Sequence, residues 1–289
     1  MTTPERGTGP GMRILAWFAL TFGRRPARLL LYPICAYFLF FGRALRLAST
    51  GYLRKVLGRE PRLRDGFRHI HTFASTLLDR IFLLNDQFDR FEVCVHGDEI
   101  ASEMRARGTG CFLLGAHMGS FEIIRSLARR RELNVSLLMY EENARELQSL
   151  VRHINPGLLR QIIALGKIDS MLKVEDALAR GDFIGVLADR SIHDDGTVPF
   201  TFLGERAYFP TGPFRAAVML QRPMVLMIGL FSGGNRYDIY FEHLIDTNTT
   251  DFPGGKAAID GVMKRYVERL EHYCRLAPYH WFNFYDFWK

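Results

Sequence analysis

The sequence predicts an α/β fold: a mostly parallel central sheet flanked by helices, preceded by an N-terminal helical segment that associates with a membrane. Three observations lead there. From residue 91 onward, short apolar runs alternate with segments of helical period, the pattern left by parallel strands joined through crossover helices. The charge is lopsided. Residues 1–68 hold 13 Lys/Arg against Glu5, Glu60 and Asp65, a local +10, so the other 221 residues sum to −3 in a chain of net +7. Within that basic region two apolar runs are flanked by arginines, a combination suited to an anionic lipid surface.

Taken in order, residues 1–11 are rich in Gly, Pro and Thr and are expected to be disordered. The runs 14–22 and 29–41 have nine and thirteen residues, both short of the roughly 20 needed to cross a bilayer. Arg24, Arg25 and Arg28 separate them, and Arg43 and Arg46 come after the second. They are expected to form an interfacial anchor; one tilted span, or two buried core helices, are the alternatives. Residues 44–84 read as amphipathic helix, apolar through Leu45, Leu47, Tyr52, Leu53, Val56 and Leu57 and basic on the other side. Segment 12–84 is thus the membrane-associating unit, and 85–289 the α/β domain integrated with it.

That domain reads as a strand at 91–95, a helix at 98–107 and a buried strand at Cys111–Gly115. A helix at 121–131 ends in Arg129-Arg130-Arg131, read as a solvated helix end. Next are a strand at 135–139 and a helix at 144–154, broken by Asn155-Pro156-Gly157. Then come a helix at 170–180, a strand at 183–188 and a helix at 212–220. Strands at 224–231 and 237–243 are joined through Gly233-Gly234-Asn235 as a hairpin. A long helix at 257–276 precedes the aromatic run 281–288, read as core or membrane-facing packing.

Composition narrows the function. At 289 residues and 48% hydrophobic content the chain can build a substantial core. Nucleic acid is disfavoured as the polyanionic partner, because the N-terminal arginines alternate with long aliphatic and aromatic stretches. Cys35, Cys94, Cys111 and Cys274 lie in apolar surroundings with no metal-ligand spacing, and read as small buried residues. His193-Asp194-Asp195 reads as a polar turn rather than a metal site.

The chemistry is expected where the strand Cys111–Gly115 runs into the segment Ala116-His117-Met118-Gly119-Ser120-Phe121-Glu122. A buried strand ends, Gly115 and Gly119 allow a tight turn, and a helix is predicted to begin. A His placed there can act as a general base near neutral pH. Glu122 is expected to hold its ring, and free N–H groups at the helix start to receive negative charge. On spacing alone, a satisfied core or loop histidine is the competing reading. Ser120 lacks the Gly-x-Ser-x-Gly setting of a nucleophilic serine.

This stretch resembles the His-four-residues-acid motif of glycerolipid acyltransferases. The acid is Glu122 rather than Asp, and the chain has no Pro-Glu-Gly-Thr-Arg block, so it looks like the branch containing the lipid A late acyltransferases. Val186-Leu187-Ala188-Asp189-Arg190, Val198-Pro199-Phe200-Thr201-Phe202-Leu203-Gly204 and Phe209-Pro210-Thr211-Gly212-Pro213 resemble further blocks of that branch, in the same order. The ending Trp281-Phe282-Asn283-Phe284-Tyr285-Asp286-Phe287-Trp288 and the Ala188–Ser191 block look most like acyltransferases of aryl-polyene or xanthomonadin-type pathways.

The resemblance implies an acyltransferase of the bacterial inner membrane, on its cytoplasmic face. It would take an acyl thioester, on acyl carrier protein or CoA, as co-substrate with a lipid acceptor, and use no metal and no further cofactor. His117 would be the base and Glu122 its orienting acid. Asp189, Arg190, Gly119, Ser120 and Gly212 are the candidate substrate-binding positions. Arg190 could hold a phosphate or oxyanion with Asp189 positioning it, or the two could form a structural salt bridge; Gly212 could present amides to an anion or simply open a helix. An acyl-CoA-dependent lysophospholipid acyltransferase and a catalytically silent membrane-binding protein are the alternative functions.

Overall fold

A computed structural model describes residues 10–131, 133–166, 169–190, 196–246 and 255–288. The expected tail (residues 1–9 of it), the His193-Asp194-Asp195 turn and Ser191 lie outside the described residues.

Seven strands form the central sheet: β1 (Glu92–His96), β2 (Cys111–Gly115), β3 (Val135–Tyr140), β4 (Ile162–Leu165), β5 (Phe183–Leu187), β8 (Met224–Gly233) and β9 (Arg236–Ile245), in the order β1-β9-β8-β2-β5-β3-β4. Neighbours are parallel except β8 and β9, the predicted hairpin. Side chains alternate across the sheet, so each strand feeds two cores. Cys111 and Leu113 of β2 join one cluster and Phe112 and Leu114 the other.

The first cluster is closed by α1 (Pro10–Phe22), α2 (Arg24–Phe41), α4 (Leu63–Leu84), α5 (Asp98–Arg107) and α6 (Ile124–Arg131). The second is closed by α3 (Arg43–Leu57), α8 (Ser170–Ala179), α9 (Gly212–Met219) and α10 (Gly255–Leu276). Helix α7 (Glu141–Ile154) covers the far edge with a smaller cluster around Leu147 and Val151. The mostly parallel sheet between two helical layers is the α/β architecture expected.

Two features were not predicted. β4 is a four-residue strand behind a short 3-10 segment, Pro156–Gln161. The Phe200–Gly204 block is a separate antiparallel hairpin, β6 (Thr197–Phe202) and β7 (Glu205–Pro210), turning at Leu203 and Gly204, both with positive φ. Helix α6 also starts three residues later than expected, leaving 116–123 as an irregular loop. Of the four cysteines, Cys94 is exposed rather than buried, because its side of β1 is left uncovered.

Helix α2 is anchored to this body by one stripe. Ala27, Leu31, Cys35 and Leu39 recur every four residues on α2 and are buried. Arg24 makes a two-pronged ion pair with the buried Asp79 of α4, at 2.6 and 2.7 Å, and Tyr237 of β9 donates to the same carboxylate at 2.8 Å. The other side of α1 and α2 is bare: Ile14, Trp17, Leu29, Tyr37, Phe40 and Phe41 are each more than half exposed. At Gly42 the chain bends by 90° into α3, and Arg46 donates to the terminal carbonyls of Leu39 and Phe40. No single helix among the described residues is long and apolar enough to cross a membrane.

Candidate active site

Strands β2 and β5 are parallel neighbours, with Gly115 opposite Leu187. The residues just past their carboxyl ends are therefore carried to the same end of the sheet, where open α/β sheets place their sites. His117 lies just past β2 and Asp189 just past β5. Asp189 is fully buried and accepts from His117 twice over: its two oxygens take the backbone N–H at 3.1 Å, and Oδ1 takes ring Nδ1 at 2.8 Å. With Nδ1–H donated to a carboxylate, the neutral ring carries its basic lone pair on Nε2. The His117 side chain keeps 16% of its surface exposed, so an outside molecule can reach it.

The carboxylate is held from a third direction by residues 280–283. Trp281 Nε1 donates to Asp189 Oδ2 at 3.0 Å and Asn283 Nδ2 at 3.4 Å. Burial pushes the Asp189 carboxyl up, but the His117 ring, Arg190 and the Trp281 donor together outweigh it and bring it down to about 2. Asp189 is therefore an anion at any physiological pH, and it favours the imidazolium form of His117.

The same strap fixes the loop. Phe282 N–H donates to His117 carbonyl at 2.7 Å, and Gly119 N–H to His280 carbonyl at 2.8 Å. On the other side Ser120 N–H donates to Gly229 carbonyl of β8 at 2.8 Å. Gly119 sits at φ +64°, and a Cβ there would lie 1.9 Å from that carbonyl oxygen, so no side chain fits. The strap is positioned by His69 of α4, whose Nε2 donates to Trp281 carbonyl while Nδ1 accepts from Ser49, both at 2.8 Å. Burial lowers the His69 pKa to about 4, so this ring stays neutral.

Several expectations change in consequence. The acid bonded to Nδ1 is Asp189, whereas Glu122 forms an ion pair with Arg80 of α4 at 2.7 Å. The amides of Gly119 and Ser120 are occupied by carbonyls and offer nothing to an oxyanion, and Ser120 Oγ is buried. Arg190 is not positioned by an Asp189 hydrogen bond. Its Nε donates to Asn283, its Nη2 to Phe282 carbonyl at 2.6 Å, and its guanidinium lies over the Tyr285 ring. Gly212 opens α9 in the layer with α10, and no described contact brings it to His117. Trp281, Asn283, Arg80 and His69 were not foreseen as site residues; the aromatic run 281–288 was the one available signal.

A base polarised by a buried carboxylate, at the carboxyl end of a parallel sheet, can remove a proton from a hydroxyl and return it to a leaving group. A family model described as bacterial lipid A biosynthesis acyltransferase matches residues 76–289, which spans β1 to β9 and includes His117, Glu122, Asp189 and the strap at 280–283, with His69 just outside it. No curated protein matches the chain.

Proposed function

Because the chain belongs to the bacterial lipid A biosynthesis acyltransferase family, and so is an acyltransferase acting on a lipid, we propose that it moves an acyl group from acyl carrier protein to a hydroxyl of a membrane lipid. The single observation that carries the mechanism is the 2.8 Å bond between His117 Nδ1 and Asp189. His117 Nε2 takes the proton of the acceptor hydroxyl as its oxygen attacks the thioester carbonyl carbon. Asp189 fixes the tautomer and stabilises the imidazolium. The carbon–sulfur bond then breaks, and the departing thiolate takes the proton back from His117. Arg190 supplies the positive charge at this strand end that an oxyanion or a substrate phosphate requires. Glu122, paired with Arg80, holds the loop that carries His117. No covalent acyl-enzyme is required.

The bare face of α1 and α2 supports a seat on the inner membrane, on its cytoplasmic side. Arg25 and Arg43, at the two ends of α2, are exposed and suited to anionic headgroups. An acyl chain then enters the site from the bilayer. The acceptor is a lipid or glycolipid, and the resemblance of the ending 281–288 to aryl-polyene-type acyltransferases adds an aryl-polyene acyl group as one donor class. The acyl-CoA-dependent reading differs only in the donor.

The test is thioester consumption by purified protein with acyl carrier protein and CoA donors of the same chain, membrane lipid extract as acceptor, and His117→Ala alongside after a fold check. Loss of on the order of 10²–10⁴ in turnover is expected in the variant. Unchanged turnover would overturn the mechanism, and a preference for CoA would overturn the donor.

A further inference from the structure

At the other end of the strand order from β4, the edge strand β1 and its neighbour β9 leave an uncovered stretch of sheet. Val93 and Val95 turn inward to the core shared with α4 and α5. Cys94 and His96 alternate to the opposite face. Register places Cys94 beside Asp238 and His96 beside Tyr240. The His96 ring stacks on Tyr240, with centroids 4.5 Å apart and planes within 10°, which fixes the direction of its nitrogens. Its Nε2 lies 3.1 Å from Asp238 Oδ1. One ligand atom each from Cys94, His96 and Asp238 all lie within 4.8 Å of one another.

We propose that Cys94, His96 and Asp238 form a binding site for a zinc-class divalent cation. Bonds of about 2.0–2.3 Å to sulfur, nitrogen and oxygen in a tetrahedron put ligand atoms roughly 3.3–3.6 Å apart. The nitrogen–oxygen edge already has close to that length, and the edges to sulfur need at most about an ångström of side-chain movement. Thiolate with imidazole and carboxylate is a donor set for zinc, not for the hard cations magnesium and calcium. Three protein ligands leave the fourth position to water. Asp238 is further held by Ser232 Oγ, the outer-shell contact that ligating carboxylates commonly have. Arg236 also reaches it, at 3.5 Å, and opposes a cation; its register partner Glu92 offers that guanidinium another carboxylate. Three strand spacings separate β1 from β2, about 14 Å, so this site is distinct from His117 and its metal takes no part in acyl transfer. It ties the edge strand to β9.

The thiols make the test selective. Cys35, Cys111 and Cys274 are buried, and burial raises the pKa of each. Cys94 is the exposed thiol among the four, so a cobalt-thiolate charge-transfer band in the near ultraviolet reports on it. Titration of metal-free full-length protein with Co²⁺ is expected to give that band at one equivalent, and Zn²⁺ to displace it and block alkylation of Cys94. Cys94→Ser should abolish the band; His96→Ala and Asp238→Asn should weaken binding at least ~tenfold. His117→Ala should bind metal as the parent does, which separates this site from the acyltransfer reading. Absence of a cobalt-thiolate band in the parent, or zinc binding that survives Cys94→Ser in folded protein, would overturn the proposal.

Discussion

The two ends of this molecule treat their polar and apolar groups in opposite ways. Around His117, amides at four consecutive positions, 117 to 120, each have an acceptor, and the central carboxylate takes four donors while wholly removed from water. On α1 and α2 the polar backbone is satisfied within the helices, but a broad apolar face is not. A buried network of paired amides around one carboxylate specifies one geometry, because any shift strands a donor in a low-dielectric interior. An exposed aromatic face with exposed cations at the two ends of α2 specifies only a class of surface. Precision is thus concentrated where the proposed mechanism moves a proton, and tolerance where the proposed seat would meet a heterogeneous lipid surface.

The largest break in this comparison comes from the two acids of the site. Asp189→Asn keeps the shape but removes the charge that stabilises the imidazolium, and is expected to lower kcat by on the order of 10²–10⁴. Glu122→Gln should cost less, because Glu122 is paired with Arg80. Steady-state kinetics on both settles their order; the reverse order would return the orienting role to Glu122, where motif spacing first placed it.

Arg24→Ala comes next. It leaves the buried, charged Asp79 with Tyr237 as its hydrogen-bond donor and only the more distant charge of Arg28, and should destabilise the fold by ~3–5 kcal/mol, read in a urea titration. An unchanged midpoint would mean that α2 is not fastened to the body by this pair.

A smaller effect is linked to pH. The folded His69 has its pKa lowered from 6.5 to about 4, so below 6.5 the unfolded chain binds a proton that the native state refuses. The stabilisation is complete above 6.5 and is lost as pH falls toward 4, by at most ~3 kcal/mol. His69→Gln keeps a donor for Trp281 and an acceptor for Ser49 without titrating. It should flatten that part of the Tm-against-pH curve; an unaltered slope would place the acid sensitivity elsewhere, with His280 and His71, whose pKa values burial also lowers.

The smallest change should come from the tolerant face. Phe40→Ser with Phe41→Ser, at side chains 60% and 74% exposed, should leave Tm nearly unchanged. Partition onto anionic vesicles should fall about tenfold, with the remaining binding weakened by salt. Unchanged partition would move the membrane seat away from α2.

How far the sequence could be read tracks the same division. Helix α5 and strand β2 match their expected bounds because Gly97, Gly108 and Gly110, all at positive φ, punctuate them and leave little to tertiary choice. The position of His117 was legible for the same reason: a buried run must end in a turn. Its partner was not. Spacing relates residues only along a regular element, and 116–123 is irregular, so the nearest carboxylate in sequence was a poor guide to the nearest in space. Asp189 is 72 positions away and arrives through strand pairing. The β6–β7 hairpin escaped notice because Pro199 interrupts its alternation and Leu203 takes a left-handed turn position usually marked by glycine.

The strap at 280–283 sets an order in time. The helices that would meet the bilayer are made first, and the groups that hold Asp189 and the His117 loop are made after every strand of the sheet. Before Trp281 and Phe282 emerge from the ribosome, the His117 carbonyl lacks its Phe282 N–H donor and Asp189 lacks its indole donor. Under the proposed mechanism, acyl transfer therefore waits on closure of this strap, the last part of the site to be made.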